Sequence, residues 1–168
     1  MKLYKTILRV RNYRFEATGK ITFFALFVAM SMTANVIWAA SPGSVETGEI
    51  VVEVLNIKSK KGNLLINLFN SPEGFPIAPE KALQQLNIKV KNISRFVKIK
   101  SVRVGNYAIS VCHDENSNNV CDTNLLGIPK EGVGVSNNAK GFMGPPKYAD
   151  SMFRLNVTGK EIKIKLSY

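Results

Sequence analysis

Side-chain oxygens recur at regular spacing in one short polar segment, residues 113–124 (HDENSNNVCDTN). Asp114, Asn116 and Asn118 supply an oxygen at every second residue, and Asp122 adds a carboxylate four residues later. Hard cations such as Ca²⁺ bind six to eight oxygens, and loops of the pattern D-x-[DN]-x-[DN]-G-x₅-E supply them from one side. The segment matches the first three ligand positions and places Asp122 at the ninth. This spacing predicts a Ca²⁺ site.

The segment departs from that pattern at two positions. Asn119 stands in place of the Gly, a substitution that Asn allows because it tolerates the left-handed backbone conformation. Leu125 stands at the twelfth position, so the bidentate Glu is missing, and Glu131 is the carboxylate that could fold back toward the loop. Asp and Asn also crowd into metal-free turns, because their side chains bond nearby backbone groups. A metal-free, hydrogen-bonded loop is therefore the alternative to the Ca²⁺ site.

Two cysteines, Cys112 and Cys121, bracket most of this segment. In an oxidising compartment a pair this close in sequence is typical of a disulfide. Closing a ring of this length stabilises the folded state by about 2.5–3 kcal/mol through loop-closure entropy. Two buried thiols are one alternative, and a soft-metal pair completed by His113 is another, although it falls short of a closed zinc site. We favour the disulfide, which would also hold the loop oxygens in place.

His113 is the only histidine in the chain. A catalytic His needs a nucleophile and an orienting partner, and Asp114 is badly placed because neighbouring residues on a strand point to opposite faces. Ser110 and Ser136 are candidate nucleophiles by residue type alone, since no G-x-S-x-G motif is present. We therefore do not expect an enzyme. The alternative is a cell-envelope hydrolase that uses His113 with the carboxylates beside it.

Glycine and proline recur after the oxygen-rich segment and favour forced turns. A histidine at the end of a strand and a serine beyond the glycines are expected to add hydrogen bonds. The residues predicted to order the long loop are His113, Gly127, Pro129, Gly132, Gly134 and Ser136.

Period-two alternation of apolar and polar residues dominates the rest of the chain. The predicted strands are residues 49–57, 63–69, 88–91, 96–100, 107–112, 152–157 and 162–166. The turn at 59–63 predicts a hairpin between the first two strands, and residues 78–85 (APEKALQQ) favour two helical turns. A chain of many short strands can bury its apolar faces only by folding as a sandwich or a barrel. We predict an all-β fold: a single antiparallel β-sandwich, immunoglobulin-like or transthyretin-like, of about seven strands with one long ordered loop.

The first 40 residues have the composition of a targeting segment. Six basic residues and one acidic residue within residues 1–20 precede an uncharged, mostly apolar run, Ile21–Ala40, that ends in small residues. This order is typical of an export signal, and it predicts a periplasmic or secreted domain of residues 41–168. The alternative is an uncleaved membrane anchor over Ile21–Ile37, which at 17 residues is at the low end of what spans a bilayer.

Residues 41–168 contain 17 Lys and Arg against 11 Asp and Glu, a net charge of +6. Many of these lysines alternate along predicted strands, which is the spacing of a solvated face. A nucleic-acid groove would also require interleaved aromatic residues. We therefore expect no nucleic acid as a partner, and contact with a membrane only if the N-terminal segment is retained.

An ordered string of residues between His113 and Pro146 resembles a known family. The string reads His113-Asp114-Glu115-Asn116, then Asp122-Thr123-Asn124-x-x-Gly127-Ile128-Pro129-Lys130-Glu131-Gly132-x-Gly134-x-Ser136-Asn137-Asn138, then Gly144-Pro145-Pro146. It resembles the secreted bacterial family called domain of unknown function 2141, with the match running from about Gly48 to Tyr168. The resemblance implies a fold and an exported setting but no established activity. Cys112 and Cys121 stand where the family has apolar residues, so their disulfide is a feature of this chain.

The sequence as a whole predicts an exported β-sandwich that serves as a binding or structural module. Loops at one end of such sandwiches commonly recognise partners, so the loop of residues 113–136 is the expected recognition surface for an unidentified envelope or extracellular ligand. The alternatives are the hydrolase described above and a membrane-tethered structural protein.

Overall fold

The computed structural model describes residues 44–94 and 96–168. The predictions of an export signal or an anchor in residues 1–40 lie outside these described residues. Within them, no helix is long and apolar enough to cross a membrane. The strands are β1 (Thr47–Leu55), β2 (Asn63–Phe69), β3 (Gln84–Lys89), β4 (Val97–Arg103), β5 (Gly105–Asp114), β6 (Gly132–Val135), β7 (Phe153–Leu155) and β8 (Lys160–Lys165). The helical segments are one short α-helix, α1 (Tyr148–Ser151), and 3₁₀ turns at Pro79–Lys81, Val90–Asn92 and Ser136–Asn138.

The strands form two sheets. One has the order β4-β1-β8, and the other has the order β3-β2-β5-β6, with β7 paired to the start of β5. This arrangement confirms the predicted all-β, sandwich-like fold. Neighbouring strands are antiparallel, as predicted, except for β1 and β8, which are parallel. A parallel pair requires a long connection, and here almost the whole domain lies between the two strands.

The predicted hairpin between β1 and β2 does not form. Strand β1 pairs with β4 and β8, whereas β2 pairs with β3 and β5 in the other sheet. The chain leaves the first sheet at Asn56, which has a φ of +64° and donates a side-chain hydrogen bond to the carbonyl of Leu166 at 2.8 Å. Residues 56–62 therefore connect the two sheets rather than forming a tight turn within one.

The predicted helix at residues 78–85 is also wrong. A single 3₁₀ turn, Pro79–Lys81, is separated by two residues from β3, which begins at Gln84. Strand β3 pairs with β2 from Gln84 to Lys89, and the N–H of Leu83 already donates to the carbonyl of Leu68 at 2.8 Å. The hydrogen-bonding edge of β2 outweighs the weak helix propensity of this short segment, as tertiary context commonly does.

Strand β5 is the central strand that positions the candidate site. It is buried from Tyr107 to Asp114, because its two faces are both covered. Tyr107, Ile109 and Val111 point into the core between the sheets, and alternation along the strand turns Cys112 and Asp114 to the other face. That outer face needs a cover of its own, and the segment that follows β5 provides it.

Candidate functional site

The segment between β5 and β6, residues 115–131, forms a folded loop that we call the crown loop. It leaves β5 at Asp114 and returns to pair with the same strand, since Cys112 lies opposite Val133 and His113 opposite Gly132 in the β5–β6 ladder. The region predicted as one long loop thus contains a short strand, β6. This ladder closes the base of the crown loop.

A disulfide joins Cys112 on β5 to Cys121 within the crown loop, with the two Cα atoms 6.0 Å apart. No free cysteine is left among the described residues. The structure therefore contains the predicted disulfide rather than two buried thiols or a soft-metal pair. The bond fastens the middle of the crown loop to the central strand.

The carboxylate of Asp114 orders the first half of the crown loop. This side chain is fully buried, and its Oδ1 and Oδ2 accept hydrogen bonds from the backbone N–H groups of Asn118 at 3.1 Å and Asn119 at 2.9 Å. Ser117 and Asn119 have left-handed backbone conformations, with φ of +61° and +66°. The chain therefore turns back over the carboxylate, which makes charge-assisted hydrogen bonds with it.

The carboxylate of Glu131 joins three parts of the crown loop. It is 7% exposed, and it accepts hydrogen bonds from the N–H of Glu115 and the N–H of Asp122, both at 3.0 Å. Its Oε2 also lies 3.7 Å from the Sγ of Cys112, a contact only, because a disulfide sulfur carries no hydrogen. Glu131 folds back onto the oxygen-rich segment and bonds its backbone donors.

The carboxylate of Asp122 accepts hydrogen bonds from the two asparagines predicted as metal ligands. The side-chain amide of Asn116 donates to its Oδ2 at 2.7 Å, and that of Asn118 donates to its Oδ1 at 3.2 Å. The amide oxygens of the same two residues accept the N–H groups of Asn118 and Val120 at 2.9 and 2.8 Å. These acceptor bonds fix the amide orientation, so nitrogen rather than oxygen faces Asp122.

Four of the predicted ligands, Asn116, Asn118, Asp122 and Glu131, lie in the crown loop, and the fifth, Asp114, is the last residue of β5. All five belong to one hydrogen-bond network. Its three carboxylates accept only N–H groups. Among the described residues, none of the three is within 4.0 Å of a Lys or Arg cation. The interior of the crown loop therefore carries negative charge that is balanced by dipoles alone.

His113 is fully buried and both of its ring nitrogens are engaged. Nε2 lies 2.9 Å from the carbonyl oxygen of Lys61, which can only accept, so Nε2 carries the proton. Nδ1 lies 2.7 Å from the hydroxyl of Tyr168, which donates to it while accepting the backbone N–H of Lys58 at 3.0 Å. Burial raises the pKa of the Tyr168 phenol, which favours the protonated form that this bond requires. These bonds join β5 to the connection between β1 and β2 and to Tyr168; that His113 orders the crown loop stays a prediction.

The two serines considered as nucleophiles lie apart from His113. The Oγ of Ser136 accepts the N–H of Ile109 at 2.9 Å and donates to the carbonyl of Ser151 at 2.5 Å, and the Oγ of Ser110 lies 3.5 Å from the side-chain amide of Asn67. Neither of these two serines is hydrogen-bonded to His113, and the hydrolase alternative stays untested. Ser136 instead fastens the chain beyond β6 to β5 and α1.

The glycines and the proline predicted to order the long loop occupy different structural positions. Gly132 packs under Tyr168, where an added Cβ would lie 2.4 Å from the ring, and Gly134 packs against β8. Gly127 has a φ of +75° in the turn at the tip of the crown loop. Pro129 forms an isolated bridge with Thr123 and so sets the width of that tip.

The tip itself, residues 123–129, has its own hydrogen bonds. The carboxamide oxygen of Asn124 accepts the N–H groups of Leu126 and Ile128 at 2.9 and 3.0 Å, and the carbonyl of Ile128 accepts the N–H of Asn124 at 2.9 Å. The exposed fractions are 106% for Leu125, 83% for Leu126 and 55% for Ile128. Sequence reasoning treated these residues only as part of a turn, although two adjacent leucines in a polar segment were the available signal.

Comparison with known proteins gives a family and nothing narrower. The searches of curated proteins and of solved structures return no match. The family described as "Uncharacterized protein conserved in bacteria (DUF2141)" matches residues 52–164. That range includes the central strand, the crown loop and most of both sheets. Because it covers more than half of the sequence, the chain belongs to this bacterial family.

Proposed function

We propose that this protein is an exported binding module that recognises an apolar surface of another envelope or extracellular protein through the tip of the crown loop. The observation that carries the proposal is the exposure of Leu125, Leu126 and Ile128 on a segment with its own hydrogen bonds. Contiguous exposed apolar side chains commonly mark interaction sites.

The ordered backbone of the crown loop favours binding. A disulfide, two buried carboxylates and the β5–β6 ladder hold it before any partner arrives. A loop that is already ordered loses little conformational entropy on binding. Full burial of each leucine would contribute about 1.5–3 kcal/mol from the hydrophobic effect, so two leucines supply a useful part of a binding free energy.

Site-specific photo-crosslinking in the producing bacterium tests this proposal. A photoreactive residue replaces Leu125 in one variant and Ile77 in the control, because Ile77 is also exposed and belongs to the connection that follows the opposite end of β2. We expect a discrete crosslinked species from position 125 alone. Excess purified wild-type protein should abolish it, whereas excess Leu125→Ser/Leu126→Ser protein should not. Identical patterns at both positions, or equal competition by the two proteins, would reject the proposal.

Ca²⁺ binding by the crown loop is a second proposal, favoured by the carboxylates of Asp114, Asp122 and Glu131, which belong to one hydrogen-bond network and have no basic partner among the described residues. The ion would have to draw these carboxylates together, because their oxygens do not all lie within 4.8 Å of one another. Oxygen ligation would require the amides of Asn116 and Asn118 to turn their oxygens from backbone N–H groups to the ion. Titration calorimetry of residues 41–168, with Ca²⁺ and with EDTA, tests it. We expect heat of binding and a higher melting temperature with Ca²⁺, both lost in Asp122→Asn; no heat and no shift would end the proposal.

A further inference from the structure

Four lysines line one concave surface beside the crown loop. Lys60 and Lys61 lie in the connection between β1 and β2, Lys89 ends β3, and Lys91 lies in the 3₁₀ turn that follows. The concavity that they line has a volume of about 290 Å³. Ser117 of the crown loop also lines it. We call these four residues the lysine cluster.

The backbone beneath the lysine cluster is fixed by the fold. Asn63 pairs with Lys89 in the β2–β3 ladder, and the N–H of Val90 donates to the carbonyl of Gly62 at 3.0 Å. The carbonyl of Lys61 accepts the hydrogen bond from buried His113. The three segments that supply the lysines are therefore joined to each other and to the central strand.

The charges of the lysine cluster have no counterions within the described part of the chain. Elsewhere Lys81 pairs with Glu73 at 2.9 Å, and Lys98 pairs with Glu49 at 3.2 Å. No described carboxylate lies within 4.0 Å of any ammonium group of the cluster, and the nearby Glu115 directs its carboxylate to within 3.5 Å of His113 instead. Four like charges around one concavity attract an anion that can meet several of them at once.

We infer that the lysine cluster binds a phosphoryl group, as a phosphomonoester or a diphosphate. A phosphomonoester carries a charge of about −1.5 to −2 and three acceptor oxygens, which several ammonium groups can share. Lysine binds phosphate as a point charge, whereas a single planar carboxylate matches the fork of arginine better. Soluble phosphate compounds and lipid head groups share this chemistry. The site is separate from the apolar tip and does not depend on the function proposed for it.

Titration of the purified domain with inorganic pyrophosphate tests the site. The test variant is Lys60→Gln/Lys89→Gln, and the matched control is Lys147→Gln/Lys160→Gln, which removes the same charge from exposed positions outside the lysine cluster. At a low ionic strength of about 20 mM, where screening is weak, we expect the Kd to rise by about tenfold or more in the test variant only. Lys60→Arg/Lys89→Arg should retain binding, because it keeps the charge. Equal Kd values for the test variant and its control would overturn the inference.

Vesicle co-sedimentation distinguishes the two sources of the phosphoryl group. The vesicles are phosphatidylcholine alone, or phosphatidylcholine with phosphatidic acid (a phosphomonoester) or with phosphatidylglycerol (a phosphodiester). Binding to phosphatidic acid that pyrophosphate displaces indicates a lipid head group, and pyrophosphate binding without vesicle binding indicates a soluble ligand. Equal binding to both anionic vesicles, insensitive to pyrophosphate, would show attraction to charge alone and overturn the inference.

Discussion

Two segments of the described chain each place two adjacent large apolar side chains almost fully in solvent, and they differ in how their backbones are held. The crown loop presents Leu125 and Leu126 on a frame of hydrogen bonds and a disulfide. The segment of residues 140–146 presents Phe142 and Met143, 92% and 94% exposed, but within residues 44–94 and 96–168 none of its residues makes a backbone hydrogen bond of a turn or loop. Exposure alone therefore does not distinguish a recognition surface. The crown loop is the better candidate because hydrogen bonds hold the backbone that carries its apolar side chains.

Removal of the disulfide should reduce the difference in backbone order between the crown loop and residues 140–146 more than any other change. For Cys112→Ala/Cys121→Ala we expect a loss of about 2.5–3 kcal/mol in the free energy of unfolding, since the cross-link restricts the unfolded chain. Amide hydrogen exchange in the crown loop should accelerate toward that of residues 140–146. Denaturant unfolding and exchange measure the two effects. Wild-type protein in reductant is the control and should match the variant; unchanged stability would show that the carboxylates hold the loop without the bond.

Replacement of the buried carboxylate should have the next largest effect. Asp114→Asn places an NH₂ group against a backbone N–H of Asn118 or Asn119, and one donor loses its acceptor. We expect a loss of about 2 kcal/mol, because buried hydrogen bonds to charged groups are worth about 1.5–3 kcal/mol. Urea unfolding measures it. Asp150→Asn, at an exposed position in α1, should change stability little; equal losses in both variants would contradict the role assigned to Asp114.

Tyr168 should contribute a smaller, pH-dependent effect. Tyr168→Phe removes the hydroxyl that donates to His113, for an expected loss of about 1 kcal/mol near neutral pH. Because burial raises the pKa of Tyr168 in the folded state, the folded protein holds this proton more tightly than the unfolded chain. The stabilisation is therefore present below the unfolded pKa of about 10 and is lost as pH rises above it. The free energies of unfolding of the wild-type and Tyr168→Phe proteins, measured from pH 7 to 11, should approach each other as pH rises. A constant difference between them would contradict the hydrogen bond assigned to Tyr168 and His113.

The segment of residues 140–146 should give the smallest effect. Phe142→Ser/Met143→Ser removes apolar groups that are already in solvent, so we expect a change within about 0.5 kcal/mol in stability. The crosslink from position 125 should also persist. Loss of that crosslink in this variant would extend the recognition surface beyond the crown loop and remove the contrast between the two segments.

The local sequence pattern was enough to predict several of the strands and the disulfide. Alternation of apolar and polar residues located β2 and β5, and the short spacing of Cys112 and Cys121 predicted their disulfide. The same local signals failed at residues 78–85, where helix propensity gave way to the open edge of β2. They also failed at residues 56–62, where a turn-like sequence connects two sheets. Propensity describes a segment by itself, whereas pairing depends on which strand edge lies beside it.

The sequence by itself determined that the chain alternates like a β-protein, that its acids and amides concentrate between β5 and β6, and that its cysteines bracket them. These are properties of neighbours along the chain, which side-chain periodicity and loop closure govern. Only the tertiary structure decided that the carboxylates bond backbone N–H groups, that His113 joins Lys61 to Tyr168, and that two pairs of lysines from distant parts of the chain line one concavity. Such contacts arise between distant segments, because two sheets must pack their apolar faces together before those residues can meet.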